Sequence, residues 1–245
     1  MSFAPDHVLD ILVRDETLVA VNKPSGMLVH RGWAQDPVVA VDLLARQLGQ
    51  RVWPLHRLDR GTSGVLLFAL DADTARSIGR HFEAGTVTKR YLALTRGHPP
   101  AEHLVDYSLR RVDHASKARQ PAQTELRLLA TVTLPEAPRS GRYALVEARP
   151  RTGRTHQIRR HLKHVHHPIV GDVRYGKGEH NRYFREQLGL HRLALHASQL
   201  VVPGAEGEEA RIIDAPLPAD LAEPLMAMGF TLDGLSAPVP VTDPG

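Results

Sequence analysis

The chain has 245 residues, 42% of them hydrophobic and 24% charged, enough to bury a core as one large domain or two small ones. Cysteine is absent, which excludes disulfides, thiolate metal sites and a cysteine nucleophile, and no apolar run approaches the roughly 18 residues of a membrane span. The formal net charge is +4 and the pI about 9.6. Only five of the 31 basic residues are lysine (Lys23, Lys89, Lys117, Lys163 and Lys177), so arginine, whose planar fork pairs with phosphate, dominates the positive charge. A G+C-rich genome produces the same bias, so composition alone leaves RNA binding open. Met1–His7 lacks the basic start and apolar stretch of a signal peptide, and a soluble, cytoplasmic protein without membrane attachment is expected.

The first predicted elements are short strands, Val8 to Val13 and Leu18 to Val21, separated by polar Arg14–Thr17 in a hairpin-like pattern. Pro24-Ser25-Gly26 is a turn, and Met27–Val29 resumes an extended run. Asp36-Pro37 then offers an N-cap and a first-turn proline for a helix with Val38, Val41, Ala45 and Leu48 on one face and Gly49 at its end. Extended segments around Val52 and from Val65 to Leu70 flank a loop carrying Asp59, in which Gly61 and Gly64 permit tight geometry. The spacing of Ala75, Ile78 and Phe82 predicts a helix from Thr74 to Glu83, stopped by Gly85. Val87 to Thr95 reads as a strand with Lys89, Tyr91 and Ala93 on one side and Arg90, Leu92 and Leu94 on the other.

Residues 97–123 are polar, basic and weakly periodic, and read as a long surface insertion. Strands return at Thr124 to Thr133 and Tyr143 to Ala148. A helix is predicted from Thr155 to about Val165, closed by Pro168, then strands at Leu193 to Val202 and Ala210 to Ile213 and a helix near Ala219 to Met228. With neither an internal repeat nor a clear linker, one α+β domain over residues 1–233 is expected, followed by a disordered tail over 234–245.

The densest chemistry lies in His56-Arg57-Leu58-Asp59-Arg60-Gly61-Thr62-Ser63-Gly64. Positive charge on both sides favours an ionised Asp59, and such a carboxylate in a small-residue loop can act as nucleophile or base. An Asp held in a structural ion pair explains the same residues, so the loop alone leaves both readings open. His161, His164, His166 and His167 fall within seven residues, but without cysteine or an HExxH arrangement they argue for surface or phosphate contacts rather than for a metal.

The motifs in order resemble the RluA family of pseudouridine synthases. The Asp59 loop is similar to that family's catalytic loop, and Asn22–Gly26 with Val29-His30 to its N-terminal signature. Lys89-Arg90-Tyr91, Gly153–Arg159 with His167–Asp172, and Leu195-His196-Ala197 resemble its later motifs, so the likeness runs from about Leu9 to Pro216. Within the family the chain is most similar to the TruC type, the tRNA pseudouridine(65) synthases, in His114–Lys117, Ala130–Val132 and Asn181-Arg182, and in lacking an S4-type module. Gly61 departs from the proline or acidic residue more usual there, a change of loop stiffness rather than of chemistry.

The resemblance implies a catalytic domain with a mixed, mainly antiparallel central sheet flanked by helices and loops. It implies an isomerase that breaks the uridine N1–ribose bond, turns the base and rejoins it through C5. Asp59 takes the nucleophile's role, attacking the sugar C1′ or the base C6, with Arg159 paired to it and Tyr91 packed on the target base. Arg57, His56, Arg60, Leu195 and Arg154 are the expected substrate-binding residues, and Arg110, Arg111, Lys117 and Arg119 form either a backbone-binding surface or a solvated charge run. No cofactor or metal and no protein partner are required. The partner is RNA, with tRNA favoured and rRNA the alternative. A non-catalytic RNA-binding protein on this fold has no need of Asp59, and a hydrolase using Asp59 with a histidine lacks an identified oxyanion hole.

Overall fold

Asp15 turns the chain early: its Oδ1 accepts from the backbone N–H groups of Thr17 and Leu18, closing a hairpin between β1 (Asp10–Arg14) and β2 (Leu18–Lys23). In this computed structural model, which describes residues 3–31, 36–111, 118–204 and 209–232, the hairpin begins one large sheet. Helix α1 (Ala40–Leu48) precedes the short β3 (Trp53–Pro54) and the central β4 (Ser63–Ala69), and α2 (Ala72–Ala84) follows. β5 (Thr88–Arg96), β6 (Glu102–Asp106), β7 (Leu109–Arg110) and β8 (Arg119–Gln120) lead to the long pair β9 (Gln123–Thr133) and β10 (Arg142–Pro150). The chain continues through α3 (Gln157–His164), α4 (Gly178–Leu188), β11 (Leu195–Val202), β12 (Arg211–Asp214) and α5 (Ala219–Ala227).

The strands run in the order β1-β2-β4-β11-β5-β10-β9-β6, with β3 beside β4 and β12 beside β11. Only the β4–β11 contact is parallel, so the sheet is mixed and mainly antiparallel. All seven residues of β4 are buried because both faces of the sheet are covered there. Leu66 and Phe68 join Val19, Val21 and Leu44 under α1, while Val65, Leu67 and Ala69 join Leu18 and Ala20 on the α2 side. A third cluster lies where α3, α4 and α5 cover β5, β9 and β10, around Tyr143, Leu145, Leu162 and Phe184. No helix among the described residues is long and apolar enough to cross a membrane.

Three features depart from or add to the expectations. Helix α1 starts at Ala40 rather than at an Asp36 cap, because the Ala40 and Val41 amides donate to the Leu28 and Val29 carbonyls. The neighbouring segment thus satisfies the free N–H groups of the first turn, and Asp36 pairs with Arg60. Residues 97–123 supply the sheet-edge strand β6 and the small β7–β8 sheet; β6 buries only Val105, which explains its weak alternation. Lys117 and the rest of 112–117, like the expected tail over 234–245, lie outside the described residues. Helix α4 was not expected: its sequence is polar, and only His180 and Phe184, one turn apart, are buried.

The parallel contact is unusually close. His196 pairs with Ser63 and Ala197 with Gly64, whose φ of +113° is open to glycine alone, and a Cβ at Gly64 would stand 2.1 Å from the Ala197 carbonyl oxygen. Gly64→Ala is expected to destabilise the fold by about 3 kcal/mol or more through backbone strain and clash combined. Urea denaturation measures this, and an unchanged midpoint would mean that β4 and β11 separate there without cost.

Candidate active site

The loop between β3 and β4 is tied at both ends. At its start, His56 Nε2 accepts the Leu67 amide at 3.1 Å, and the ring stacks on Phe82 at 5.1 Å. Burial, with Lys89 nearby, pushes the His56 pKa down to about 3, so the ring is a neutral acceptor spent on the fold. At its end, the carbonyl groups of the loop meet the Pro24–Gly26 turn. Ser25 Oγ donates to the Gly61 carbonyl at 2.7 Å and the Gly26 amide to that of Arg60 at 2.8 Å. Lys23, fully buried, donates to the Pro24 and Met27 carbonyls at 2.8 Å each and to that of Arg60 at 3.3 Å. Burial and the guanidiniums of Arg192 and Arg60 pull the Lys23 pKa down to about 7 against the opposing charge of Asp59.

The Asp59 carboxylate emerges between these anchors. Its Oδ2 accepts from Arg159 Nη1 at 2.9 Å and lies 3.8 Å from His156 Nε2. Its Oδ1 makes no hydrogen bond to any described residue. Arg159, on α3, reaches Asp59 while held on its other side by Asp172, Nε to Oδ2 at 2.7 Å and Nη2 to Oδ1 at 3.0 Å. A two-pronged contact of this kind fixes the plane of a guanidinium, and so fixes where Nη1 points. Asp172 is fully buried and also accepts the Arg174 and Tyr175 amides at 2.9 Å each. Burial alone would raise its pKa, but the bonds from Arg159 and these amides outweigh it and hold the group below the ordinary carboxylate value.

Tyr91 comes from β5, on the same sheet face as Lys89. Its neighbours across the sheet are Ala148 and Ala197, and its ring packs against the edges of two core clusters. Burial, and then the charge of Asp59, raise its pKa above the usual phenol range, so its hydroxyl is protonated at neutral pH. Asp59, Tyr91 and Arg159 line one cleft of about 690 Å³ together with Ile158 and Leu195. Arg57, His56 and Arg154 also line it, Arg57 exposed and Arg154 with Nε donating to the Pro121 carbonyl at 3.0 Å. Arg60 does not line the cleft; it turns outward to Asp36.

Residue-by-residue reading missed Asp172, His156 and Tyr175 as site residues, although all three stand in or beside the Gly153–Arg159 and His167–Asp172 motifs. The missing signal was an acidic partner for Arg159 within reach of the next turn. Three of the clustered histidines serve the fold. His161 is buried between Thr124 Oγ1 at 2.9 Å and the Tyr107 carbonyl at 3.0 Å, His164 stacks on Tyr107 at 3.7 Å, and His167 bonds the Arg96 carbonyl at 2.9 Å. In the candidate backbone-binding surface, Arg119 stacks on Tyr107 at 5.1 Å, and the Arg110 carbonyl accepts from Arg160 at 2.9 Å.

Comparison with known proteins agrees with this geometry. Residues 17–164 match the family described as RNA pseudouridylate synthase. The chain is 47% identical over 204 residues to a tRNA pseudouridine synthase C of Haemophilus ducreyi, covering 78% of this chain and 84% of that protein. It is 44% identical over 207 residues to the protein of that name from Pectobacterium carotovorum, where the match covers 79% of this chain but 55% of the relative. Among solved structures, human RNA pseudouridylate synthase domain containing 4 superposes with a TM-score of 0.73 at 29% identity, covering 90% of this chain and 93% of that one.

The Asp172–Arg159 pair makes a stability prediction with a defined sign. A carboxylate held low in the folded state stabilises fully above its unfolded value near 3.8, and the contribution is lost as pH falls through the native value. Asp172→Asn is expected to cost about 2 kcal/mol at neutral pH, since it strips the Arg159 guanidinium of its buried carboxylate partner and leaves it the cleft-facing Asp59. Urea unfolding at neutral pH and in acid tests this. The gap between wild type and variant should shrink on the acid side, and a gap independent of pH would refute the linkage.

Proposed function

Since the chain belongs to the RNA pseudouridylate synthase family, we propose that it isomerises one uridine of tRNA to pseudouridine, at position 65 as in the TruC type. The observation that carries the reading is the divided Asp59 carboxylate: Arg159 holds Oδ2, while Oδ1 has no hydrogen-bond partner among the described residues. A carboxylate oxygen left open in the cleft that Tyr91 also lines, its hydroxyl protonated, suits attack on a nucleoside.

In the proposed reaction the uridine leaves its stack, at a cost of a few kcal/mol, and enters the cleft. Packing of the base on Tyr91 offsets this by about 1–3 kcal/mol. Asp59 Oδ1 attacks as nucleophile, and the N1–C1′ bond breaks. The base turns, C5 bonds to C1′, the bond made by Asp59 breaks and returns its carboxylate, the C5 proton leaves and N1 gains one, so the product is an isomer of the substrate. Tyr91, protonated, acts as a hydrogen-bond donor and packing surface rather than as a phenolate base. Arg57, exposed at the mouth, is suited to a phosphate or to the space that the uridine vacates.

Incubation of unmodified tRNA and rRNA transcripts with wild type and Asp59→Ala, followed by a base-specific chemical stop, is the direct test. One marked uridine in tRNA is expected with wild type and none with the variant, while RNA affinity stays within a few-fold, since Asp59 adds no attraction for phosphate. An unmarked tRNA bound equally well by both proteins would sink the reading. A mark confined to rRNA would overturn the choice of substrate.

A further inference from the structure

His156 occupies a backbone position that disfavours it. Its φ of 53° and ψ of 30° lie in the left-handed region, which costs a residue with a Cβ about 1–2 kcal/mol, and although it stands at the N-cap of α3 its side chain caps nothing. The imidazole instead spans the site. Nδ1 lies 3.1 Å from the Tyr175 hydroxyl, the two rings meet edge to face at 5.7 Å, and Nε2 faces Asp59 Oδ2 at 3.8 Å. Tyr175 also carries the Arg159 guanidinium over its ring at 5.1 Å. Both groups directed at Oδ2 therefore rest on one phenol.

The charges around the ring decide its form. Asp59 faces it from the loop, Arg159 from α3, and Asp172, Arg174 and Tyr175 from the turn that follows Gly171. Burial disfavours the imidazolium most, and the two guanidiniums add to this against the two carboxylates, so the ring is neutral at neutral pH. The adjacent carboxylate favours the tautomer with hydrogen on Nε2, and the Tyr175 hydroxyl then donates to Nδ1.

We propose that His156 is a positioning residue for the isomerisation, its neutral Nε2–H closing on Asp59 Oδ2 in the RNA complex so that Oδ1 alone faces the reacting nucleoside. The inference rests on the reading of the chain as a pseudouridine synthase. Closure needs a movement of about 1 Å, of the kind by which loose hydrogen bonds tighten when substrate binds. A neutral donor orients the carboxylate without neutralising it. An imidazolium would pair with Asp59 and weaken it as a nucleophile, so activity falls in acid as His156 protonates.

The test is the single-turnover rate on an unmodified tRNA transcript from about pH 5 to 8.5, with RNA affinity measured alongside. His156→Gly suits the left-handed backbone, and His156→Asn tolerates it. Both variants should react at least about tenfold more slowly with affinity within about twofold, and their acid limb should move to lower pH. Free imidazole should restore part of the rate of the glycine variant. Rates within twofold of wild type with its acid limb would overturn the inference, as would a loss matched by equal losses of RNA affinity or thermal stability. Wild type that forms no pseudouridine would overturn the underlying reading, and the inference with it.

Discussion

Arg159 carries one positive charge and faces two carboxylates, and it divides its donors unequally. Two go to Asp172, which is wholly buried, and one goes to Asp59 at the cleft. A buried guanidinium without a partner is costly, so the contact with Asp172 sets the orientation and the contact with Asp59 exploits it. The other features of the site depend on this order. Were the strengths reversed, Asp59 would be locked by two bonds and have no free oxygen. Asp172 accepts two backbone amides besides, so it is bound to the 172–175 turn whether or not Asp59 is in place.

On the opposite side the loop is held through its backbone. The Pro24–Gly26 turn and Lys23 take the carbonyl groups of Arg60 and Gly61, while His56 and Leu58 anchor the loop to the fold. The result is a rigid mount for one carboxylate. Lys23 also places a buried amine near Asp59, and in its protonated form this offsets some of the negative charge of Asp59.

Much of the fold was readable from local pattern. The first hairpin, the α2 stripe of Ala75, Ile78 and Phe82, and the alternation of β5 each follow from a period that matches the element. Where the pattern misled, a distant partner had replaced a local signal. The first turn of α1 is satisfied by Leu28 and Val29, so its start carries no capping residue. In α4 only His180 and Phe184 are buried, too few to give a stripe. The site divides in the same way. Asp59 stands out through its flanking charge, but its partner lies 100 residues away and was found by resemblance rather than by any local cue. His56 lines the cleft but its ring is tied to the Leu67 amide, and Arg60 pairs with Asp36, contacts that no local pattern discloses.

The place of β11 between β4 and β5 has a consequence for how the molecule is made. Both neighbours are synthesised well before it, and they do not pair with each other. A chain emerging from the ribosome therefore holds β4 and β5 with open edges until residues 195–202 have been released. Unpaired edges of this kind invite contact with other chains. Insertion of β11 closes them at once, seats Ala197 against Gly64, and brings Arg192 Nη2 to Ser63 Oγ at 2.6 Å. The central seam of the sheet is thus among the last parts of the structure to assemble, and a chain released short of β11 would leave a sheet open in the middle rather than frayed at one end.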